Sequence, residues 1–491
     1  MQMPHIHLDK KSSTPLYRQL SDAITELAAG GKLAPDAKLP SIRQLARALD
    51  VNNTTVISAY KLLEREAVIY SVVGSGTFVT PTAPVIEIPV LPKIGEGFIN
   101  FADTSTEVKL FPVTAFRRSF DAVLDRDGGA AFDCHDTRGH KPLRESFCKL
   151  LEVHGISADP GNIQVIQDIQ QGLQAIADAV LQPGDTVFVE KPTSQRAVAA
   201  FLSKRTQIVE MPLTKDGPDM AEVEALIKKH RPKLIYVMPH FQTPTGISYS
   251  AEKQRRLLAL AHAADAYVIE EDQCSDFYYD GIKRAPLKAL DDNDRVFYVK
   301  SFAKNLVPGL RMGFMLCPDK AMPVSGDIAA PGYIQRGFDM FLRSGAYELH
   351  MANIRSVYGR RYHKVVAAVN GYLGHLADFH LPMGGLGLWI TPRCSPKNSA
   401  REDATDILAA TQHVDVTDAL ADADDDVTPP DWQDDYCAAF LQRQVVVSPG
   451  RLFGAADKDG FMISFAAVPE DKMAEGIGVI ASVLGDEEAD I

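Results

Sequence analysis

At 491 residues the chain is too long for one hydrophobic core, so two or three domains are expected; 46% hydrophobic and 23% charged residues exclude wholesale disorder. No run of 18 or more apolar residues is present to cross a bilayer as a helix. The net charge of −13 argues against nucleic acid for the chain as a whole, but residues 1–80 hold nine Lys/Arg against seven Asp/Glu, a net +2, and the remainder carries −15. Any contact with phosphate backbones is therefore expected in the first segment alone.

The opening Met1-Gln2-Met3-Pro4-His5 lacks the basic-then-apolar pattern of an export signal, so a cytoplasmic protein is expected. Leu16, Leu20, Ile24 and Leu27 then fall at helical spacing, as do Ile42, Leu45, Ala46 and Leu49, and again Val56, Ala59, Tyr60 and Leu63. Pro40-Ser41 and Asn52-Asn53 before Thr54 are helix-start signals, and only Asp50–Asn53 separate the second helix from the third. That spacing predicts a helix-turn-helix. Ile69–Val73, Gly74-Ser75-Gly76 and Thr77–Val79 predict a β-hairpin, so residues 1–80 read as one small domain.

Prolines at 81, 84, 89 and 92 mark residues 81–97 as a stiff linker. Strand-like runs at Thr186–Glu190, Leu234–Met238, Tyr267–Ile269 and Val296–Val299 then alternate with helical stretches, which predicts a mostly parallel α/β sheet. A large lobe of about 130–330 and a smaller C-terminal α+β lobe of about 331–491 are expected within 98–491. Residues 402–435 contain twelve Asp/Glu and no Lys/Arg, the composition of a solvated acidic loop or insertion. The six cysteines, at 134, 148, 274, 317, 394 and 437, form no Cys-x-x-Cys; they read as reduced thiols, and no metal site is expected.

The first segment, through Pro15-Leu16-Tyr17, Lys38-Leu39-Pro40-Ser41-Ile42-Arg43-Gln44-Leu45-Ala46, Val51–Val56, Ala59-Tyr60 and Gly74–Val79, resembles the GntR winged helix. The resemblance implies that Ser41 and Arg43 touch phosphates of a double-stranded DNA operator. It places Asn52, Asn53, Thr54 and Thr55 at the start of the recognition helix, where backbone donors suit a phosphate and Asn suits an adenine edge. Gly76 lets the wing approach the DNA backbone. The chain departs from the family's usual Ser-Arg at Asn52-Asn53 and from its Glu-Gly at Glu66-Ala67, which should shift base preference. A winged helix used for protein contacts is the alternative.

The body resembles fold-type I pyridoxal-phosphate aminotransferases, as fused in the MocR subfamily of GntR regulators. The resemblance runs through Gly139, Leu143-Arg144-Glu145, Pro183-Gly184-Asp185, Pro244-Thr245-Gly246, Ser301–Phe314, His350, Arg355, Tyr358, Arg361 and Ser448-Pro449-Gly450. It implies Lys304 as the cofactor-bearing lysine, Ser301 and Arg311 at the cofactor phosphate, Glu271 toward the ring nitrogen and Thr243 near the ring hydroxyl. Gln170 falls in the phosphate cup. It also implies a homodimer and a small-molecule effector such as an amino acid or a vitamin B6 vitamer.

The departures are several. Glu271 replaces the family Asp, Thr243 an Asn, Gln273 a Tyr and Ser194 a stacking aromatic. Asp168 stands in the phosphate cup, where like charges about 5 Å apart repel by about 3 kcal/mol, although it suits a helix cap equally. Met462 occupies the place of the Arg that grips a substrate carboxylate, which speaks against transamination. Lys304 has a second reading, as an inherited lysine without cofactor. Three functions stand at this point: a regulator whose body dimerises and senses a ligand, a working aminotransferase with a DNA-binding appendage, and a regulator whose body is a scaffold.

Overall fold

The computed structural model describes residues 6, 8–10, 14–29, 32–34, 37–65, 68–72, 76–79, 97–133, 136–322, 329–393, 436–455 and 460–486. The linker expected at 81–97, apart from Gly97, and the acidic run 402–435 lie outside the described residues. Two compact units emerge, one built on Met1–Val85 and one holding most of the rest.

In the first unit the three apolar periodicities become α1 (Leu16–Ala29), α2 (Ile42–Ala48) and α3 (Asn53–Arg65), followed by the hairpin strands β1 (Ile69–Val72) and β2 (Gly76–Val79). α2 starts where Gln44 Oε1 accepts from both the backbone N–H and the hydroxyl of Ser41, at 3.0 and 2.8 Å. The α2–α3 turn closes through Asp50 in the left-handed region. Leu20, Ile24, Leu45, Val56, Leu63 and Ile69 pack with Val79 into one core, and the buried Tyr60 donates its hydroxyl to Pro40 O at 2.8 Å, fixing α3 against the entry to α2. The hairpin pairs antiparallel, Tyr70 opposite Phe78, with Phe78 in turn beside Lys38. The tip of the wing, Val73–Ser75, lies outside the described residues.

The body opens with β3 (Ile99–Asn100). Its central sheet comprises β4 (Ile163–Ile166), β5 (Thr186–Lys191), β6 (Gln207–Thr214), β7 (Gly217–Pro218), β8 (Leu234–Val237), β9 (Tyr267–Asp272), β10 (Val296–Ser301) and β11 (Gly313–Leu316). Their order is β4-β11-β10-β9-β8-β5-β6-β7, with β5, β8, β9 and β10 parallel and β11 antiparallel to both its neighbours. β4, β8, β10 and β11 are buried along their whole length, which explains their mostly apolar composition, with Gln164 in β4 and Lys300 in β10 as buried exceptions. β12 (Ala377–Phe379), β13 (Gly387–Pro392), β15 (Ser448–Pro449) and β16 (Phe461–Ser464) form a second, antiparallel sheet, while β14 (Val445–Val446) pairs in parallel with β3. The helix Ala346–Leu373 packs on the helix Met473–Asp486, which also meets β14. Parallel strands of this kind present ligands at their carboxyl ends, and Glu271, Asp272 and Ser301 all lie there.

Candidate functional site

The winged unit displays its predicted DNA residues on the surface. Ser41, Arg43, Asn52, Asn53 and Thr54 are exposed and Thr55 is half-buried. Asn52 is already engaged: its Oδ1 accepts from Thr54 N at 3.3 Å and its carbonyl from Thr55 N at 3.0 Å, so it caps α3. Bidentate pairing to a base needs both ends of an amide. Asn53, exposed in the first turn, is the residue left with a whole one. Gly76 has φ +124°, and a Cβ there would lie 2.8 Å from Lys38 Cε, so glycine serves the strand start.

In the body, the strand ends and the second sheet line a small cleft. Lys304, Thr243, Gln273 and Met462 line it together, with Phe241, Pro244, Cys274 and Leu386. Lys304 follows β10 by three residues, and its Nζ donates to Thr104 O at 3.1 Å and to the Thr104 hydroxyl. Among the described residues no carboxylate comes within 4.0 Å of that amine. Burial presses its pKa below the ordinary lysine range, against the pull of Cys274 and Asp103. Glu271 is buried with both oxygens engaged, one by Tyr236 OH at 2.6 Å and one by Gln273 Nε2. Burial raises its pKa, against the lowering effect of those two donors.

The phosphate end is filled from within. Asp168 Oδ2 lies 3.0 Å from Arg311 Nη2, and Asp168 Oδ1 accepts from Gln171 N at 2.9 Å, capping the helix Ile169–Val180. A carboxylate thus engages one nitrogen of Arg311 and one N–H of the helix start, both of which a phosphate would use. Ser301 Oγ accepts from Ala303 N at 3.2 Å. Gln170 turns away, donating to Arg196 O at 3.2 Å, and Ser194 Oγ lies 3.5 Å from Ala197 N at the start of another helix. These residues fit pyridoxal phosphate poorly: an incoming dianion meets the like charge of Asp168, which already holds one nitrogen of Arg311. The two side chains are 39% and 57% exposed, so solvent screens the pair and the repulsion is smaller than the buried-site figure.

Three features were missed in the sequence, the first two without any readable signal. Thr104, 200 residues from Lys304, is its hydrogen-bond partner. Lys300 is buried with its Nζ 3.0 Å from both Asp272 and Asp276, the first of which faces it in the β9–β10 register. Gln242 clamps the Pro244-Thr245-Gly246 turn, accepting from Thr245 N and Oγ1 at 3.0 and 2.6 Å and donating to Pro192 O at 2.7 Å and Glu190 Oε2 at 3.2 Å. Its place just before Thr243-Pro244 was the available hint.

Glu190 is fully buried, and burial pushes its carboxyl up to about 7 despite hydrogen bonds from Tyr249, Met238 and Gln242. A raised carboxyl stabilises the fold fully below its unfolded value of 4.5, and that contribution is lost as pH rises through 7. Glu190→Gln is therefore expected to remove about 3 kcal/mol of the stability decline between pH 4.5 and 8. Urea midpoints of both proteins across that range test it; parallel pH profiles would count against a protonated Glu190.

Comparison with known proteins agrees with both halves. The family of bacterial regulatory proteins, gntR family, matches residues 16–79, and aminotransferase class I and II matches residues 105–346. The chain is 30% identical to the uncharacterized HTH-type transcriptional regulator YcxD of Bacillus subtilis, over 70% of this chain and 78% of that protein. It is 27% identical to the probable rhizopine catabolism regulatory protein MocR of Rhizobium meliloti, over 76% and 80%. Among solved structures, Pyrococcus horikoshii kynurenine aminotransferase superposes with a TM-score of 0.66 at 26% identity, covering 79% of this chain and 91% of that one. With a helix-turn-helix unit ahead of an aminotransferase-like body, and relatives of the same fused build, the chain belongs to the MocR-type regulators of the GntR family.

Proposed function

We propose that this protein is a sequence-specific DNA-binding transcription regulator whose body pairs two chains, binds a small ligand beside Lys304 and does not transaminate. The observation that carries the reading is the cleft wall. Among the described residues lining it there is no arginine, and Met462 stands where a carboxylate grip is needed. An amino acid bound there has no orienting contact for its carboxylate, and misplacement alone removes most of the rate. Pyridoxal phosphate at Lys304 would bind weakly, with Arg311 already paired to Asp168.

The DNA half is tested by titrating a fluorescent operator. Arg43→Ala is expected to weaken binding about tenfold on every sequence and to lower the salt slope by about one, as loss of one phosphate contact does. Asn53→Ala should instead change which base is preferred. Unchanged affinity of the Arg43 variant at all salt concentrations would refute the assignment. Pairing is tested by light scattering, where twice the chain mass of 53.7 kDa is expected. A dilute monomer with full operator affinity would remove it.

A further inference from the structure

We propose that Lys304 captures a neutral, non-phosphorylated carbonyl compound, an apolar aldehyde or ketone, as a Schiff base in the cleft between the central and second sheets. The inference rests on the reading of the body as a ligand-binding, non-transaminating unit and names the chemistry of its ligand.

Three observations converge. The first is the state of the amine. Lys304 Nζ is met by two oxygens of Thr104 and by no carboxylate within 4.0 Å among the described residues. An uncharged amine satisfies those two acceptors with its two hydrogens and keeps its lone pair for attack. Burial favours that uncharged form. The second is the wall. Phe241, Pro244, Leu386 and Met462 give an apolar face, and among the described lining residues there is no arginine to hold an acid; Arg196, which acts on Lys304, is exposed outside the lining. Cys274 also lines the cleft, and burial pushes its thiol up to about 12, so it stays protonated and does not compete as a thiolate. The third is the Asp168–Arg311 pair, which sets a like charge beside the cation that would select a phosphorylated ligand.

The step balances without an oxidant or a second reactant. The Nζ lone pair attacks the carbonyl carbon, a C–N bond forms and the C–O bond breaks. The oxygen leaves as water with both hydrogens of the amine. The neutral imine nitrogen has no hydrogen left to donate, so capture also ends both hydrogen bonds to Thr104.

The test uses the full chain, incubated separately with benzaldehyde, pyridoxal and pyridoxal phosphate at equal concentration. Each sample is reduced with borohydride and mapped by peptide mass spectrometry, with operator binding measured on the untreated protein. Benzaldehyde and pyridoxal are expected to label Lys304 at least about tenfold more than pyridoxal phosphate does. Asp168→Ser, which keeps an oxygen to cap the helix, should raise labelling by pyridoxal phosphate about tenfold and leave benzaldehyde unchanged. Labelling of wild-type Lys304 by pyridoxal phosphate as strong as by pyridoxal overturns the proposal, as does failure of both neutral aldehydes to label it. The wild-type ranking decides the matter even if a variant folds poorly. Loss of operator binding by the untreated protein would strike the regulator reading instead and leave the ranking of aldehydes standing.

Discussion

Lys300→Ala is expected to destabilise the body by about 3–5 kcal/mol at neutral pH, because it removes one partner of a buried ion network and leaves the others in place. Lys300 is 2% exposed, and the two carboxylates it joins, Asp272 and Asp276, are 4% and 9% exposed. Asp272 keeps Ser275 and Tyr298 as donors, and Asp276 keeps Asn305 Nδ2 at 2.8 Å, but no cation remains between them. Burial alone would raise both carboxyls, and Lys300 is the main influence holding them below the usual range. A depressed carboxyl stabilises the fold above its unfolded value of 3.8, and the contribution fades as pH falls through the folded one. The gap between wild type and variant should therefore be widest near neutrality and shrink below about pH 4. Adding Asp276→Asn should recover part of the loss by removing one stranded charge. Denaturant unfolding measures all three proteins; a neutral-pH loss under about 1 kcal/mol would show that the network carries little.

Leu20→Ala is expected to abolish most operator binding without touching any DNA-facing residue. Leu20 is fully buried in the small core, on α1 where it packs on α3, and truncating such a leucine costs about 2–5 kcal/mol. The matched winged region spans only residues 16–79, and a single core of that size supplies about 3–5 kcal/mol in total. The variant's binding-competent fraction falls accordingly, and the apparent affinity falls with it. Operator titration together with amide exchange on α1 and α3 reads the effect. Full affinity with unprotected amides would mean that the core does not set the reading surface.

The sequence was most informative where the interactions are local. Leu45, Val56 and Leu63 carry the helical period because each helix buries one stripe, and the observed α2 and α3 follow it. β8 and β10 were legible because strands buried on both faces leave unbroken apolar runs. β9 ran three residues past its expected end at Ile269, to Asp272, because its last residues are buried acids that neighbouring strands and turns supply with donors. The pairing of Asp168 with Arg311 was half legible. Its capping role follows from position, whereas the arginine is 143 residues away and meets it only once the sheet is assembled. Lys300 gave no signal at all, since a lysine inside an apolar strand argues for a surface until its two acids are brought alongside.

The carboxylate of Asp168 has a consequence for when the body can be made. A cup whose helix start and arginine already hold a carboxylate of the same chain depends less on an outside anion during folding. Bodies that leave that cup to a vitamin-derived group gain stability from it only in proportion to supply. This one should reach its full abundance in a cell starved of the vitamin, so its level would report on transcription and proteolysis rather than on nutrition.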